Sequence, residues 1–414
     1  MPAQRLRDDR DFRRFWTART LSVGGAVFTY VALPVIVYDL TGSPLVTSLV
    51  ATFEALPYLL FGLVAGALAD RLDRKRVMVV ADVANAAILG SIPVAAWLDA
   101  LTVLHVLVAA FLSQAVFVFF DTANLGALPV LVGRDRIVAA NSAIWGTASL
   151  LDVVMPAAAG ALLAVVTAPT VVSIDALTFL ASALLIRSIS RAMSGRDASA
   201  TNTGLAALRG EVADGLRWLV AHAGVRTMTI IGACQSFAGG AFMGQWVVWA
   251  DQRLDVQQGD ARLGVIFAGW GVGGVLASVA MPRLVRRFGT AKVVLLALPL
   301  SAALGVATAL AGTLWVATVL LGAWGFAYML VVVNSVTFRQ QVTPEQLLSR
   351  VNATGRMLSF GVGWPLGAVV GGAVAEAYGP SAGILTGALV IVVGVVVAWT
   401  SPIRSGMEAQ ERPS

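Results

Sequence analysis

The chain has 414 residues, 58% of them hydrophobic and only 13% charged, with a mean hydropathy of +0.81. A soluble domain carries about 25% charged residues, so lipid rather than water solvates most of this surface. The net charge of +6 and pI of 10.1 would suit a nucleic-acid partner only in a soluble protein; here the basic residues read as loop anchors, and no nucleic-acid partner is expected.

The basic start followed by an apolar run from Val23 has the outline of a signal peptide. No small-residue cleavage pattern closes it and more apolar runs follow, so it reads as a first transmembrane helix. Apolar runs of about eighteen or more residues, enough to cross roughly 30 Å of hydrocarbon, predict twelve spans. They cover 15–38, 45–69, 77–98, 101–120, 140–166, 169–187, 227–250, 263–282, 292–311, 314–338, 355–377 and 381–400. Turn residues stand at the breaks, as in Thr41-Gly42-Ser43-Pro44 and Gly379-Pro380.

Between the second and third spans stands a charged hinge, Gly66-Ala67-Leu68-Ala69-Asp70-Arg71-Leu72-Asp73-Arg74-Lys75-Arg76. Basic residues near span ends resist crossing, which places this hinge in the cytoplasm. With both termini on that side, only Arg253 and Arg262 of the 29 Lys and Arg fall outside, where Asp39, Asp99, Asp251, Asp255, Asp260 and Glu376 are found. The expected location is therefore the cytoplasmic (inner) membrane, multi-pass, with both termini cytoplasmic.

The expected organisation is an N-terminal six-helix bundle at 1–187, a linker at 188–225, a C-terminal six-helix bundle at 226–400 and a cytoplasmic tail at 401–414. The linker opens polar and flexible. From Leu205 its apolar residues recur at three and four, the pattern of an amphipathic helix on the membrane surface.

The two halves echo each other. Ala127-Leu128-Pro129 leads to Asn141 after the fourth span, and Arg339-Gln340 leads through Pro344 to Asn352 after the tenth. Each Pro is expected to open a short charged surface helix. Pro282, Arg283, Arg286, Arg287 and Gly289 repeat the hinge weakly, and Met155-Pro156 with Gly160 pairs with Trp364-Pro365 and Gly367. Such repeats predict an all-α membrane protein of two pseudo-symmetric bundles, with a substrate site near the midplane reached alternately from each side.

These features resemble the major facilitator superfamily over nearly the whole chain. Gly66, Asp70, Arg71, Arg74 and Lys75 match its loop motif, with Asp73 in place of the usual second Gly. Asp11-Phe12-Arg13-Arg14-Phe15-Trp16, Val31-Ala32-Leu33-Pro34 and the Arg339–Asn352 stretch resemble the enterobactin-exporter and macrolide-efflux branch. The resemblance implies that Asp70 meets the start of the eleventh span, near Arg350 to Arg356, and gates the inner side; the alternative is that the hinge sets topology alone. That branch usually has an acidic residue where Gly25 stands, so its task would pass to Glu54 or Asp152, or the energy source differs.

Acidic residues within a span cost at least about 2.5 kcal/mol at its centre, so each is a functional candidate. Glu54, Asp152 and Asp175 are the proton-coupling candidates, all in the N-terminal half; Asp175 could instead be hydrated or bonded to a neighbouring helix. Asp82 is expected to pair with the basic hinge. Gln235, Gln245, Trp270, Trp324, Tyr328 and Asn334 are substrate-cavity candidates, suited to an amphipathic, largely apolar molecule. Trp249 and Trp246 read as interfacial anchors. Small residues at spacing four (Gly62/Gly66, Gly240/Gly244, Gly269/Gly273 and Gly363/Gly367/Gly371) predict close helix contacts.

The single Cys234 and the distant His105 and His222 provide no metal cluster, and no nucleotide-binding or nucleophile-elbow motif occurs. No enzyme and no cofactor is expected. The leading expectation is a monomeric, proton-driven exporter of small amphipathic compounds, with the lipid bilayer and the substrate as its partners. An importer or facilitator, or a receptor on the same scaffold, is the alternative.

Overall fold

A computed structural model describes residues 6–69, 72–133, 136–193, 205–257 and 260–405. Every regular element among them is helical. In chain order these are α1 (Arg10–Thr41), α2 (Pro44–Ala69), α3 (Arg74–Trp97), α4 (Val103–Val132), α5 (Ile137–Leu163), α6 (Ala168–Arg187) and α7 (Leu205–Ala221). Then come α8 (Ala223–Leu254), α9 (Arg262–Phe288), α10 (Thr290–Ala309), α11 (Leu314–Val342), α12 (Glu345–Arg356), α13 (Trp364–Tyr378) and α14 (Pro380–Thr400). Eleven helical segments among the described residues are long and apolar enough to cross a membrane. The twelfth expected span is α8, whose 32 residues include Thr, Gln, Ser and Gly that lower its hydropathy. These residues lie against protein rather than lipid, since α8 is buried along most of its length.

Helix ends follow the turn chemistry. Gly42 turns the chain at φ +62°, and Pro44 starts α2 where no amide donor is needed. Pro365 lacks the amide that Gly361 would accept in an α-helix, and the turn before it, Met357–Gly363, widens into a π-helix. Two expectations fail here. Pro129 opens no surface helix but lies inside α4, which runs on to Val132. The fourth span also does not stop at 120: Asp121 pairs with Arg19 at 3.9 Å and Asn124 is buried, so these polar residues extend the helix instead of ending it.

Backbone contacts divide the chain into two units, Met1–Leu40 with Leu60–Thr203 and Gly259–Gly264, and Thr41–Leu59 with Gly204–Gln258 and Val265–Ser414. In the first, α3 packs against α4 and α6. A core of Phe12, Phe15, Met78, Phe120, Leu128 and Ile186 gathers the start of α1 and the end of α6. The same end is tied by charge. Arg191 donates to Asp9 from Nη1 at 2.8 Å and from Nη2 at 2.9 Å, and Asp11 accepts the Ser190 and Arg191 amides, each at 3.1 Å. Burial alone would push the Asp9 carboxyl up. The Arg191 hydrogen bond, the Phe12 amide and the charges of Arg191 and Arg136 outweigh it and hold Asp9 below its ordinary value.

In the second unit α8 is the axis, packed against α11, α13 and α14. The small residues permit this. A Cβ on Gly240 would strike the Trp364 carbonyl, one on Gly367 the Phe237 carbonyl, and one on Gly371 would lie 3.0 Å from Ala241 Cα. A Cβ on Gly269 would come within 2.7 Å of the Thr318 carbonyl oxygen, and one on Gly273 would strike the Gly322 carbonyl. The spacing-four glycines are close contacts as expected, except Gly62, which meets nothing within 4 Å, and Gly66, whose surroundings lie outside the described residues. The first part of α2, up to Leu59, also belongs to this unit. Glu376 of α13 accepts the Ser43 hydroxyl at 2.8 Å and the Leu45 amide at 3.2 Å, capping α2 with a side chain from another helix.

Candidate functional site

The basic hinge fixes α3 within the first unit. Asp73, which replaces the loop motif's second Gly, is the N-cap of α3: its carboxylate accepts the Arg76 amide at 3.0 Å. Arg74 donates to the Gly126 carbonyl of α4 at 2.9 Å, and Lys75 to the Ile189 carbonyl beyond α6 at 2.5 Å. These two cations therefore tie the start of α3 to α4 and to the segment after α6, a role the charge pattern does not reveal. Asp70 and Arg71 lie outside the described residues, as do the surroundings of Gly66.

The acidic candidates occupy three different environments. Asp152 on α5 is exposed, and Glu54 is half-buried on the part of α2 that belongs to the second unit. Asp175 on α6 is 1% exposed. Thr29 of α1 donates to its Oδ2 at 2.5 Å, and Thr178, one turn along α6, donates to its Oδ1 at 3.1 Å. Gly25 makes the approach possible, because a Cβ there would overlap Thr178 Oγ1 and Asp175 Oδ1. The face of α1 left open by Gly25 is thus filled by a carboxylate from α6, and Asp175 is bonded to a neighbouring helix.

Asp82 does not pair with the hinge. It is fully buried on α3, beside Ser182 of α6 and within reach of the Arg19 charge from α1 and of Asp175. Neither carboxylate oxygen of Asp82, neither polar end of Asn85 and no lone pair of the Ser182 hydroxyl has a hydrogen bond of acceptable geometry. Asp82 and Asn85 stand three apart, and Asp175, Thr178 and Ser182 stand three and four apart. Those spacings put each set on one helix face and are the sequence signal for this buried polar seam.

The aromatic candidates converge in the second unit. Trp270 of α9 lies 5.4 Å from Trp324 and 5.0 Å from Tyr328, both on α11. Phe242 of α8, which sequence reasoning missed, stacks on Trp270 at 5.6 Å and meets Trp324 edge-on at 5.3 Å. Trp324 is fully buried and shares the Ser301 hydroxyl with Gln235, at 3.1 and 2.7 Å. Trp270 is only half-buried and presents the open edge of the cluster. Gln245 donates to the Pro44 carbonyl at 3.4 Å, while Asn334 donates to the Leu330 carbonyl at 2.7 Å; both are buried. Trp246 and Trp249 are buried as well, against Phe267 and the Ala309 carbonyl. They are packing residues rather than interfacial anchors. Among the described residues the exposed tryptophans at helix ends are Trp97 (83%), Trp315 (71%) and Trp399 (42%).

The sequence pattern of the transmembrane secretion effector family matches residues 5–414. The chain is 28% identical over 399 residues to the multidrug efflux pump Tap of Mycolicibacterium fortuitum, covering 94% of this chain and 95% of that one. It is 28% identical over 166 residues to macrolide efflux protein A of Streptococcus pyogenes, covering 40% and 41% of the two chains. In fold it is similar to a point mutant of the nucleoside transporter NupG, with a TM-score of 0.79 at 12% identity over 94% of this chain and 98% of that one. A bacterial homologue of the iron transporter ferroportin in an inward-facing state gives 0.71 at 15% identity, over 93% and 98%. At these identities the structural likeness is one of fold alone.

Proposed function

Because the chain belongs to the transmembrane secretion effectors of the major facilitator superfamily, a family of transporters rather than enzymes, we propose that it is a proton-coupled exporter of small amphipathic organic compounds, working by alternating access as a monomer in the cytoplasmic membrane. The observation that carries the substrate class is the aromatic cluster of Phe242, Trp270, Trp324 and Tyr328, with the Trp270 ring at its open edge. Large flat rings with few charges bind apolar and aromatic bodies and leave polarity to a few amides. Efflux is favoured by the names of the relatives, a multidrug pump over nearly the full chain and a macrolide pump over part of it. The placement of Lys and Arg supports cytoplasmic termini.

Inside-out vesicles carrying the protein provide the test, with ethidium and erythromycin as probes. Uptake driven by an acidic lumen and abolished by nigericin is the expected result. Uptake indifferent to nigericin would point to a facilitator or to another coupling ion, and the absence of any uptake would leave export unsupported.

A further inference from the structure

We propose that the buried seam between α1, α3 and α6 is the proton-coupling site, with the Asp175 and Asp82 carboxylates as the groups that take up and release the transported proton. The proposal rests on the antiport reading and assigns it to residues; it also sets Glu54 and Asp152 aside as the coupling groups.

Two carboxylates, a serine and an asparagine (Asp82, Asn85, Asp175 and Ser182) are each at most 1% exposed here, on helices whose other faces are apolar. An ionised carboxylate in such surroundings is costly, and one proton removes that cost. Asp175 accepts from Thr29 on Oδ2, and on Oδ1 from Thr178, whose hydroxyl is shared with the Asp175 carbonyl at 2.8 Å. Asp82 has no such donor, although Ser182 stands beside it. The pair is therefore unequal. One carboxylate is held by two donors and can carry the charge, while the other has unpartnered oxygens and can carry the proton.

The charged neighbours fit a transfer path. From α1, Arg19 lies near Asp82; from α4, Asp121 pairs with Arg19 at 3.9 Å and is 26% exposed. His105, also of α4, pairs with Ser91 of α3 at 2.8 Å. The face of α1 towards Asp175 contributes Gly25 and Thr29 and no charge. Thr178 and Ser182 stand one turn apart on the α6 face that bears Asp175, so the polar groups of the seam extend along α6 from Asp175 towards Asp82. Arg19 and its partner Asp121 lead from the Asp82 end of the seam towards water. Asp152 is exposed and shares no such network, and Glu54 lies in the other unit.

The experiment compares wild type with Asp175→Asn, Asp82→Asn, Glu54→Gln and Asp152→Asn in proteoliposomes, using ethidium as the probe. Gradient-driven uptake is expected to be lost in Asp175→Asn and Asp82→Asn and kept in the other two, while ethidium counterflow survives in all. Counterflow retained shows that the variants are folded. Infrared titration of the same samples without ethidium supplies an independent readout: each of the two seam variants should remove part of the carboxylic-acid carbonyl band seen in wild type. Gradient-driven uptake retained in both seam variants would overturn the proposal. A band unchanged by both would overturn it as well. Wild type without gradient-driven uptake, but with a band that Asp82→Asn and Asp175→Asn reduce, would refute antiport and leave the proton site standing.

Discussion

The hydroxyl of Thr29 on α1 donates to Oδ2 of Asp175 on α6 at 2.5 Å. One turn away on α1, Gly25 leaves the space into which the other oxygen of Asp175 and the Thr178 hydroxyl fit. A missing side chain on one helix is thereby matched by an acid on another. Gly25→Ala should displace Asp175 or separate α1 from α6, at a cost of about 1–3 kcal/mol for an overpacked site. Thermal unfolding in detergent checks it; an unchanged transition would mean that the two helices do not meet this closely.

The charge cluster joining α1 to the end of α6 should make stability depend on acid. Asp9 is held below its ordinary value of 3.8, so its contribution is full above that pH and is lost as pH falls through the lower value of the folded state. Asp9→Asn should therefore be less stable than wild type at neutral pH, and the difference should vanish well below pH 3.8. Unfolding of both proteins across that range measures it. A gap that persists in strong acid would place the effect elsewhere.

The aromatic cluster separates into a packing residue and a contact residue. Trp324 is fully buried and bonded to Ser301, so Trp324→Ala should cost about 3–5 kcal/mol as a large core truncation. Trp270 is half-buried, and Trp270→Ala should weaken ethidium binding with a much smaller loss of stability. Paired melting and fluorescence titrations tell the two apart. Equal destabilisation without a change in binding would remove Trp270 from the substrate surface.

Glu376 caps α2 across a long sequence separation, through Ser43 and the Leu45 amide. Glu376→Ala should cost about 0.5–2 kcal/mol, the range for a lost helix cap. Ser43→Ala should reproduce only part of the effect, since the amide bond to Glu376 remains. Melting temperatures of the two single variants and the double variant test this, and additive losses would argue against a shared cap.

Much of this was legible in the chain itself. Twelve apolar runs, Gly-Pro turns and paired motifs correspond to twelve long helices, because an apolar period and a turn residue act locally. Tertiary contacts account for the failures. Asp121 and Asn124 look like loop residues until Arg19 and the neighbouring helices are in place, and then α4 runs through them. Trp246 and Trp249 near the end of α8 carry the signature of an interface, yet α8 is enclosed and they are buried. Asp82 stands close in sequence to Arg76, whereas its helix face turns it towards Ser182 and Arg19. Asp175 was identifiable as an intramembrane acid. Its partner Thr29, 146 positions away, was not, because nothing local links α1 to α6.

Lumenal pH and ethidium content, followed together in inside-out vesicles with an acidic interior, test proton antiport most directly. Antiport predicts that each addition of ethidium raises lumenal pH as the dye accumulates, and that Asp175→Asn abolishes both changes together. Ethidium accumulating with no proton movement, or protons moving unchanged in Asp175→Asn, would contradict it.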